Sequence, residues 1–415
     1  MSQRKILLTG ATGFIGGELL RRLVKQDPRA EARPIVCLVR APSEAEAAQR
    51  GRDTLRTLFG RDAERVAARV SWVRADIEQP HLGIADDRRA ALAAEVQEVF
   101  HCAASTSFDL GLEEARKVNV VGVEGILELC EAAKAHGGFA RLHHVSTAYT
   151  AGKAPGLVDA ADLPADEPTL FRNNYERTKA EAERLLRSAM ARLPISIYRP
   201  SIVVGDSTSG RTTSWNVCYY PMRLMAWGRL PWVSCGGKSL LDVVPVDYVV
   251  DGMLALSRRT DTVGGTFHLA SGQDAITVHD VVRETHAGME RRAGESLRLE
   301  TRTLGPLLWF LLTAFFRLFG SKLVKRNLES FRIYVDYTRV DTVFDTRRER
   351  ALLAECGVAF PSPKDSFPRA VDYALARNFG RPWPKKAASK SPVRELVESL
   401  HSASGIILAP IHNNA

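Results

Sequence analysis

A doubly wound α/β fold with a mostly parallel sheet is predicted by three observations. Short apolar runs alternate with longer helical patterns from Lys5 to Arg199, as repeated strand–helix–strand units require. The first run, Ile6-Leu7-Leu8-Thr9, enters a turn with glycines at three-residue spacing, Gly10-Ala11-Thr12-Gly13-Phe14-Ile15-Gly16, and an amphipathic pattern follows from Glu18 to Val24. After Arg199-Pro200-Ser201 the character of the chain changes, which predicts a smaller, mainly helical substrate-binding part.

Each element has its own signal. Pro34–Val39 reads as the second strand and ends in Arg40. Ser43–Arg69, dominated by alanine, glutamate and arginine, reads as solvated helix. Val70–Ala75 is a third strand closed by Asp76-Ile77, and Val99–Cys102 a fourth that runs into the small-residue loop Ala103-Ala104-Ser105-Thr106. A long helix is expected over Leu112–His136, a strand over Arg141–Val145, a helix over Asn174–Arg192 and a strand over Ile195–Tyr198. Gly205–Ser214 is a polar glycine- and serine-rich loop. Trp215–Trp232 is rich in aromatic residues and methionine, fitting either packing between lobes or the wall of an apolar pocket. Leu240–Val246 and Gly265–Ala270 read as strands, and Thr277 with Asp280 as a capping box opening a helix. Leu304–Phe319 is the most apolar stretch, shorter than a bilayer span and flanked by Lys322, Lys325 and Arg326; it suits a buried helix or one lying in a membrane interface. Tyr334–Phe344 reads as strand and Asp365–Asn378 as helix. The expected organisation is residues 1–275 as the dinucleotide-binding and catalytic domain, with a substrate-side excursion over 205–245. Residues 276–380 form a C-terminal substrate or lid region containing the apolar helix 304–319, and 381–415 a weakly ordered tail.

Composition narrows the function. Apolar residues at 45% and charged residues at 25% are ordinary for a globular protein. Six scattered cysteines without a C-x-x-C pair fit reduced thiols in the cytoplasm and argue against a disulfide frame or zinc site. The polar N-terminus leading straight into a strand does not read as a signal peptide. A formal charge of +9 suits an anionic cofactor, an anionic substrate or an anionic membrane surface, the last as peripheral contact at the inner face. Nothing in the pattern points to nucleic acid, and oligomeric state stays open.

The glycine turn is where chemistry starts. Glycine lets the backbone turn sharply and approach a ligand, and the helix that follows directs its N–H groups and positive dipole end at a pyrophosphate. Arg40 stands where an acidic residue would accept the ribose 2′-OH of NAD, so a cation here favours NADP(H), with Arg50 or Arg52 as helpers. Tyr175 and Lys179, four apart, share one helix face. A neighbouring ammonium is expected to lower the phenol pKa and make Tyr175 a usable proton donor or acceptor. Thr147, just past the fifth strand, adds a hydroxyl. His101, His143 and His144 lack metal-ligand spacing and read as structural; no metal is expected.

These residues carry a resemblance. Thr9–Gly16, the set Thr147, Tyr175 and Lys179, and Tyr198-Arg199-Pro200-Ser201 resemble an extended short-chain dehydrogenase/reductase of Rossmann type. Within it, His101-Cys102-Ala103-Ala104, Val145-Ser146-Thr147-Ala148-Tyr149 and Val244-Pro245-Val246-Asp247-Tyr248-Val249 are similar to motifs of the fatty acyl-CoA reductase and thioester reductase group, and the Phe344-Asp345-Thr346 region resembles the small C-terminal module of fatty acyl-CoA reductases. The resemblance implies Thr147, Tyr175 and Lys179 as catalytic residues. It implies a cofactor site of Thr9, Gly10, Thr12, Gly13, Phe14, Ile15, Gly16, Arg40, Asp76, Ile77, Ala103, Ala104, Tyr175, Lys179, Pro200, Ser201 and Ile202, and Asn119 as support for a proton relay. The implied activity is NADPH-dependent reduction of a fatty acyl-CoA or acyl-carrier-protein thioester by hydride transfer, ending at the aldehyde or, after a second hydride, at the alcohol. The alternatives are a sterol or nucleotide-sugar dehydrogenase or epimerase, and a non-catalytic, membrane-associated nucleotide-binding subunit.

Overall fold

The computed structural model describes residues 4–26, 33–215, 217–228, 230, 232–236, 239–294, 301–319, 335–339 and 341–382. Seven parallel strands form the central sheet: β1 (Lys5–Thr9), β2 (Ile35–Val39), β3 (Val70–Arg74), β4 (Val96–His101), β5 (Arg141–Val145), β6 (Ile195–Pro200) and β7 (Thr266–Leu269). Their order is β7-β6-β5-β4-β1-β2-β3. The order reverses beside β1, and in open parallel sheets ligands bind outside the carboxyl ends of the strands at that point. Registry does the positioning: Thr9 pairs with His101, His101 with His144, Val145 with Tyr198, and Pro200 with Leu269. The residues that follow these ends therefore meet along one edge.

Both sheet faces are buried, which explains continuous apolar runs rather than alternation. On one face Ile6, Leu8, Cys37 and Phe100 pack with Leu19 and Leu20 of helix α1 (Phe14–Gln26). On the other, Leu7, Val36, Val99 and Leu142 pack with Ile126 and Leu129 of α2 (Gly122–Ala135) and Leu186 of α3 (Asn174–Ala189). Asn173 starts α3 by accepting a hydrogen bond from Glu176 N at 3.0 Å, placing Tyr175 in its first turn. The described cysteines are all free thiols.

Several expected elements are altered. The helix expected over Leu112–His136 is interrupted by a π-helical turn, Lys117–Val121, that leads into α2. The Ser43–Arg69 helix stops at Phe59 because Gly60 turns the chain with φ +56°. Asp86–Glu95 forms a helix before β4 that the sequence reading lacks. Among the described residues of Tyr334–Phe344, only Thr342–Phe344 is strand, and Asp336–Arg339 is a short helical turn. The C-terminal tail lies outside the described residues beyond Pro382.

The later chain folds back onto the earlier. Thr342–Phe344 pairs in parallel with Gly156–Val158, and Arg302–Leu304 with Trp232–Ser234. Helix α4 (Val278–Ala293) opens with the full Thr277–Asp280 capping box and packs on helix Pro363–Ala376, where a Cβ on Gly288 would come within 2.8 Å of Val371. Helix Arg347–Glu355 buries Leu353 against the sheet-side core.

Glu349 in that helix is buried, and burial pushes its carboxyl up to about 7 against the pull of hydrogen bonds from the backbone N–H groups of Glu349 and His268. From an ordinary value of 4.5 up to about 7 the folded chain holds a proton that the unfolded chain has released, so stability falls as pH rises through that window. Glu349→Gln removes this effect and should stabilise the fold by about 1–3 kcal/mol at about pH 8, with little gain at about pH 4. Urea unfolding at the two pH values checks it; an equal shift at both refutes it.

Candidate active site

The turn after β1 uses its glycines for two purposes. Gly10 has φ +74°, and a Cβ on it would lie 2.7 Å from Ala103 N; a Cβ on Gly16 would collide with the Gly10 carbonyl. Those two glycines bring β1, the β4 turn and α1 into contact. Gly13 differs, since a Cβ there would approach only Gly10 O, at 3.2 Å, and its face lines the cleft. α1 begins beside it with no acidic residue in its first turn, an electrostatic setting that suits an anion. Thr9 Oγ1 contacts His101 Nδ1 at 2.7 Å and accepts a hydrogen bond from Ala103 N at 3.1 Å, fixing the β4 turn.

From this turn a cleft of about 1460 Å³ runs along the sheet edge. At one end stand Thr12, Arg40, Arg50, Asp76, Ile77 and Glu78, with Ala103 and Ala104 along the floor. Arg40 is ion-paired to Glu78, and Arg50 donates to the Arg40 carbonyl. A 2′-phosphate at this end would meet two guanidinium groups, one already shared with a carboxylate.

At the other end the cleft continues past Phe14, Ile15 and Gly16 to Thr147, Tyr175, Lys179, Pro200, Ser201 and Ile202. Thr147 caps the turn Ala148–Ala151 and donates to Pro200 O at 3.3 Å. Thr147 and Tyr175 line the same stretch of the cleft. Burial pushes the Tyr175 phenol up to about 12, with Thr147 opposing the shift and Glu176 adding to it. This corrects the expectation of a lowered phenol pKa. The Lys179 ammonium donates instead to Val145 O at 2.9 Å and contacts His144 Nε2 at 3.2 Å. Burial brings Lys179 itself down to about 8, opposed by Glu183 and Cys102. His101 and His144 stay neutral beside it because burial, and then Lys179, lower both.

Asn119, on the π-helical turn, is occupied on both amide atoms: its Oδ1 accepts from Ser105 N at 2.9 Å and its Nδ2 donates to Thr178 Oγ1 at 3.0 Å. It braces the loop after β4 against α3. His143 bridges Glu98 and Tyr198, at 2.8 and 3.0 Å.

Residues the sequence reading did not single out complete the wall. Phe108 lies 5.7 Å from the Tyr175 ring and stacks on Tyr337 at 5.3 Å. Tyr337 donates to Glu176 Oε1 at 2.8 Å and accepts from Asn173 Nδ2 at 2.8 Å, so the C-terminal region touches the turn of α3 that carries Tyr175. A small apolar cavity lined by Ile202, Val217, Met225, Val233, Val281 and Tyr337 adjoins the cleft through Ile202, Val217 and Tyr337. The Trp215–Trp232 stretch thus serves both expected purposes: Trp215 and Tyr220 face the cleft, while Cys218 and Met225 pack in the core.

The cleft fits an extended dinucleotide: an open glycine face at a helix N-terminus, small residues on the floor, and cations at one end. Fold and site together define a dinucleotide-binding protein of the short-chain dehydrogenase/reductase type. A family model described as Male sterility protein, an NAD-binding domain, matches residues 8–253, more than half the chain, and the chain belongs to that family. It is 34% identical over 271 residues to a component of the linear gramicidin synthase of Brevibacillus parabrevis, covering 63% of this chain and 5% of that protein. It is 28% identical over 283 residues to fatty acyl-CoA reductase 1 of Mus musculus, covering 61% of this chain and 54% of the reductase. The chain therefore spans less than two thirds of either relative. Among solved structures, the terminal R domain from the myxalamid PKS-NRPS biosynthetic pathway superposes with TM-score 0.75 at 27% identity, covering 91% of this chain and 92% of that one. The expected resemblance and the Rossmann-type fold both hold.

The glycines make separable predictions. Gly13→Ala should leave thermal stability nearly unchanged and weaken dinucleotide binding at least about tenfold, because the added methyl occupies ligand space. Gly16→Ala should lower both, because the turn itself must move. Calorimetric titration beside thermal unfolding checks the pair; equal behaviour of the two variants refutes the division of roles.

Proposed function

We propose that this chain is an NADPH-dependent reductase of fatty acyl thioesters, carried on coenzyme A or a carrier protein, that releases an aldehyde; a second hydride from a second NADPH would be needed to take the aldehyde to alcohol. The observation that carries the reading is the presence of the Thr147 and Tyr175 side chains in one stretch of cleft, which the glycine turn also lines and which adjoins an apolar cavity. The thioester activity is supported by the reductase and R-domain relatives.

The cofactor, when bound, supplies hydride. The chain's own residues do the rest. The turn built by Gly10 and Gly16 would hold the pyrophosphate against the open face of Gly13, Asp76, Ile77, Ala103 and Ala104 would border the adenosine and ribose, and Pro200, Ser201 and Ile202 would lie by the carboxamide. Thr147 and Tyr175 donate hydrogen bonds to the thioester oxygen and stabilise the negative charge that develops on it. A phenol held up to about 12 stays protonated through neutral pH, so Tyr175 acts as acid and gives its proton to that oxygen. The resulting hemithioacetal collapses, breaking the carbon–sulfur bond, to aldehyde and free thiol. Lys179, which donates to Val145 O, would have to leave that partner to hold the nicotinamide ribose; at about 8 it is still mostly charged near neutral pH.

The test is NADPH oxidation with acyl-CoAs from short to very long chains and with acyl-carrier protein, measuring thiol release and product. Tyr175→Phe should lower turnover by about 10²–10⁴-fold with NADPH binding retained. Full turnover in this variant removes Tyr175 from the chemistry, and oxidation without thiol release removes the thioester.

Coenzyme choice makes its own prediction. Because Glu78 shares Arg40, Glu78→Gln should tighten NADPH binding several-fold and leave NADH unchanged, while Arg40→Ala should weaken NADPH alone by about tenfold or more. Parallel changes with both coenzymes would refute a 2′-phosphate site at Arg40.

A further inference from the structure

Helix Pro306–Phe319 presents an apolar face to solvent. Leu307, Leu308, Phe310 and Leu311 are 72%, 54%, 66% and 54% exposed, while Trp309 between them is buried in the core beneath. At about 100° per residue the four exposed side chains cover an arc of about 160°. Trp309 points the opposite way and fastens the helix to the body. Of the seven large apolar side chains exposed among the described residues, five lie on this helix; the others, Leu157 and Val263, stand singly. Scattered apolar residues are normal on a soluble surface, whereas a contiguous patch marks an interaction site.

Charge identifies the partner. From Thr301 to Leu328 the sequence has five basic residues, Arg302, Arg317, Lys322, Lys325 and Arg326, and no acidic one. The helix has 14 residues, and no described helix is long and apolar enough to cross a membrane. We propose that this face lies in the interface of an anionic lipid bilayer, with the leucines and Phe310 inserted between acyl chains, and that the basic character of the sequence around the helix suits headgroup phosphates. A bilayer supplies both complements, apolar and anionic, from one surface. An acidic protein would satisfy the basic run but would need an apolar face of its own for the exposed leucines and Phe310. The proposal is independent of the thioester reading.

Sedimentation of the full chain with vesicles of phosphatidylcholine, with and without phosphatidylglycerol, tests it without reference to catalysis. The wild type should partition onto the anionic vesicles. Leu307→Glu with Leu311→Glu, both at exposed positions, should reduce partition by about tenfold or more with thermal stability and NADPH binding unchanged. Lys322→Gln, Lys325→Gln and Arg326→Gln together should remove most of the dependence on phosphatidylglycerol. Equal partition of the wild type and the double glutamate variant overturns the proposal, as does a wild type that ignores both vesicles. If it ignores both while the glutamates turn a dimer into a monomer, the face belongs to a second copy of the chain.

Discussion

One buried carboxylate holds the candidate active site in register. Glu183, on α3, accepts hydrogen bonds from Arg199 Nε at 2.9 Å and Nη2 at 2.6 Å and from the Ser146 hydroxyl, all without contact with solvent or nearly so. Burial alone would raise its pKa, but Arg199 and Ser146 prevail and keep it ionised. Each partner adjoins a residue of the site: Ser146 precedes Thr147, Arg199 precedes Pro200, and Lys179 lies one helical turn before Glu183 on the face it shares with Tyr175. Removing one member of such a pair leaves an uncompensated charge in the core, which destabilises far more than the pair itself stabilises. The network therefore specifies geometry more than it adds stability, and the strands and helix that carry Thr147, Tyr175 and Lys179 cannot drift apart without breaking it.

The two ends of the cleft are built on different physics. At the nucleotide end the main tools are absent side chains and exposed charge: Gly13, Ala103 and Ala104 leave room, and Arg40 and Glu78 face each other across the mouth. Salt screens such exposed pairs, and a ligand can exchange with them. At the end that holds Thr147, Tyr175 and Lys179 burial dominates. It holds Tyr175 protonated and His101 and His144 uncharged, and it brings Lys179 down to about 8, so that Lys179 is the group there whose charge a change in solvation would alter most readily.

Much of this was legible in the chain. Central strands buried on both faces read as unbroken apolar runs, and the glycine spacing and the Tyr175–Lys179 interval are local patterns. What escaped depends on distant residues. The π-helical turn at Asn119 answers contacts to Ser105 and Thr178, which no local periodicity encodes. Lys179 turned out to serve the β5 carboxyl end because Val145 O and His144 lie within its reach, a fact of registry rather than of helix spacing. Phe108 and Tyr337 meet Tyr175 from segments far apart in the chain. Leu304–Phe319 was apolar nearly all round, so the sequence could not say which side would be covered; Trp309 decides it.

The parallel pairing of Thr342–Phe344 with Gly156–Val158 bears on how the protein is made. Contacts between segments so distant in sequence form slowly, and during synthesis the earlier segments emerge first. A nascent chain can assemble β1 to β6, and with them the glycine turn and the nucleotide end of the cleft, while Tyr337 and Phe344 are still inside the ribosome. Such an intermediate would have the glycine-turn end of the cleft before Tyr337 completes the wall at the other end, so a dinucleotide bound early would stabilise the first part of the fold before the last part exists to pack against it.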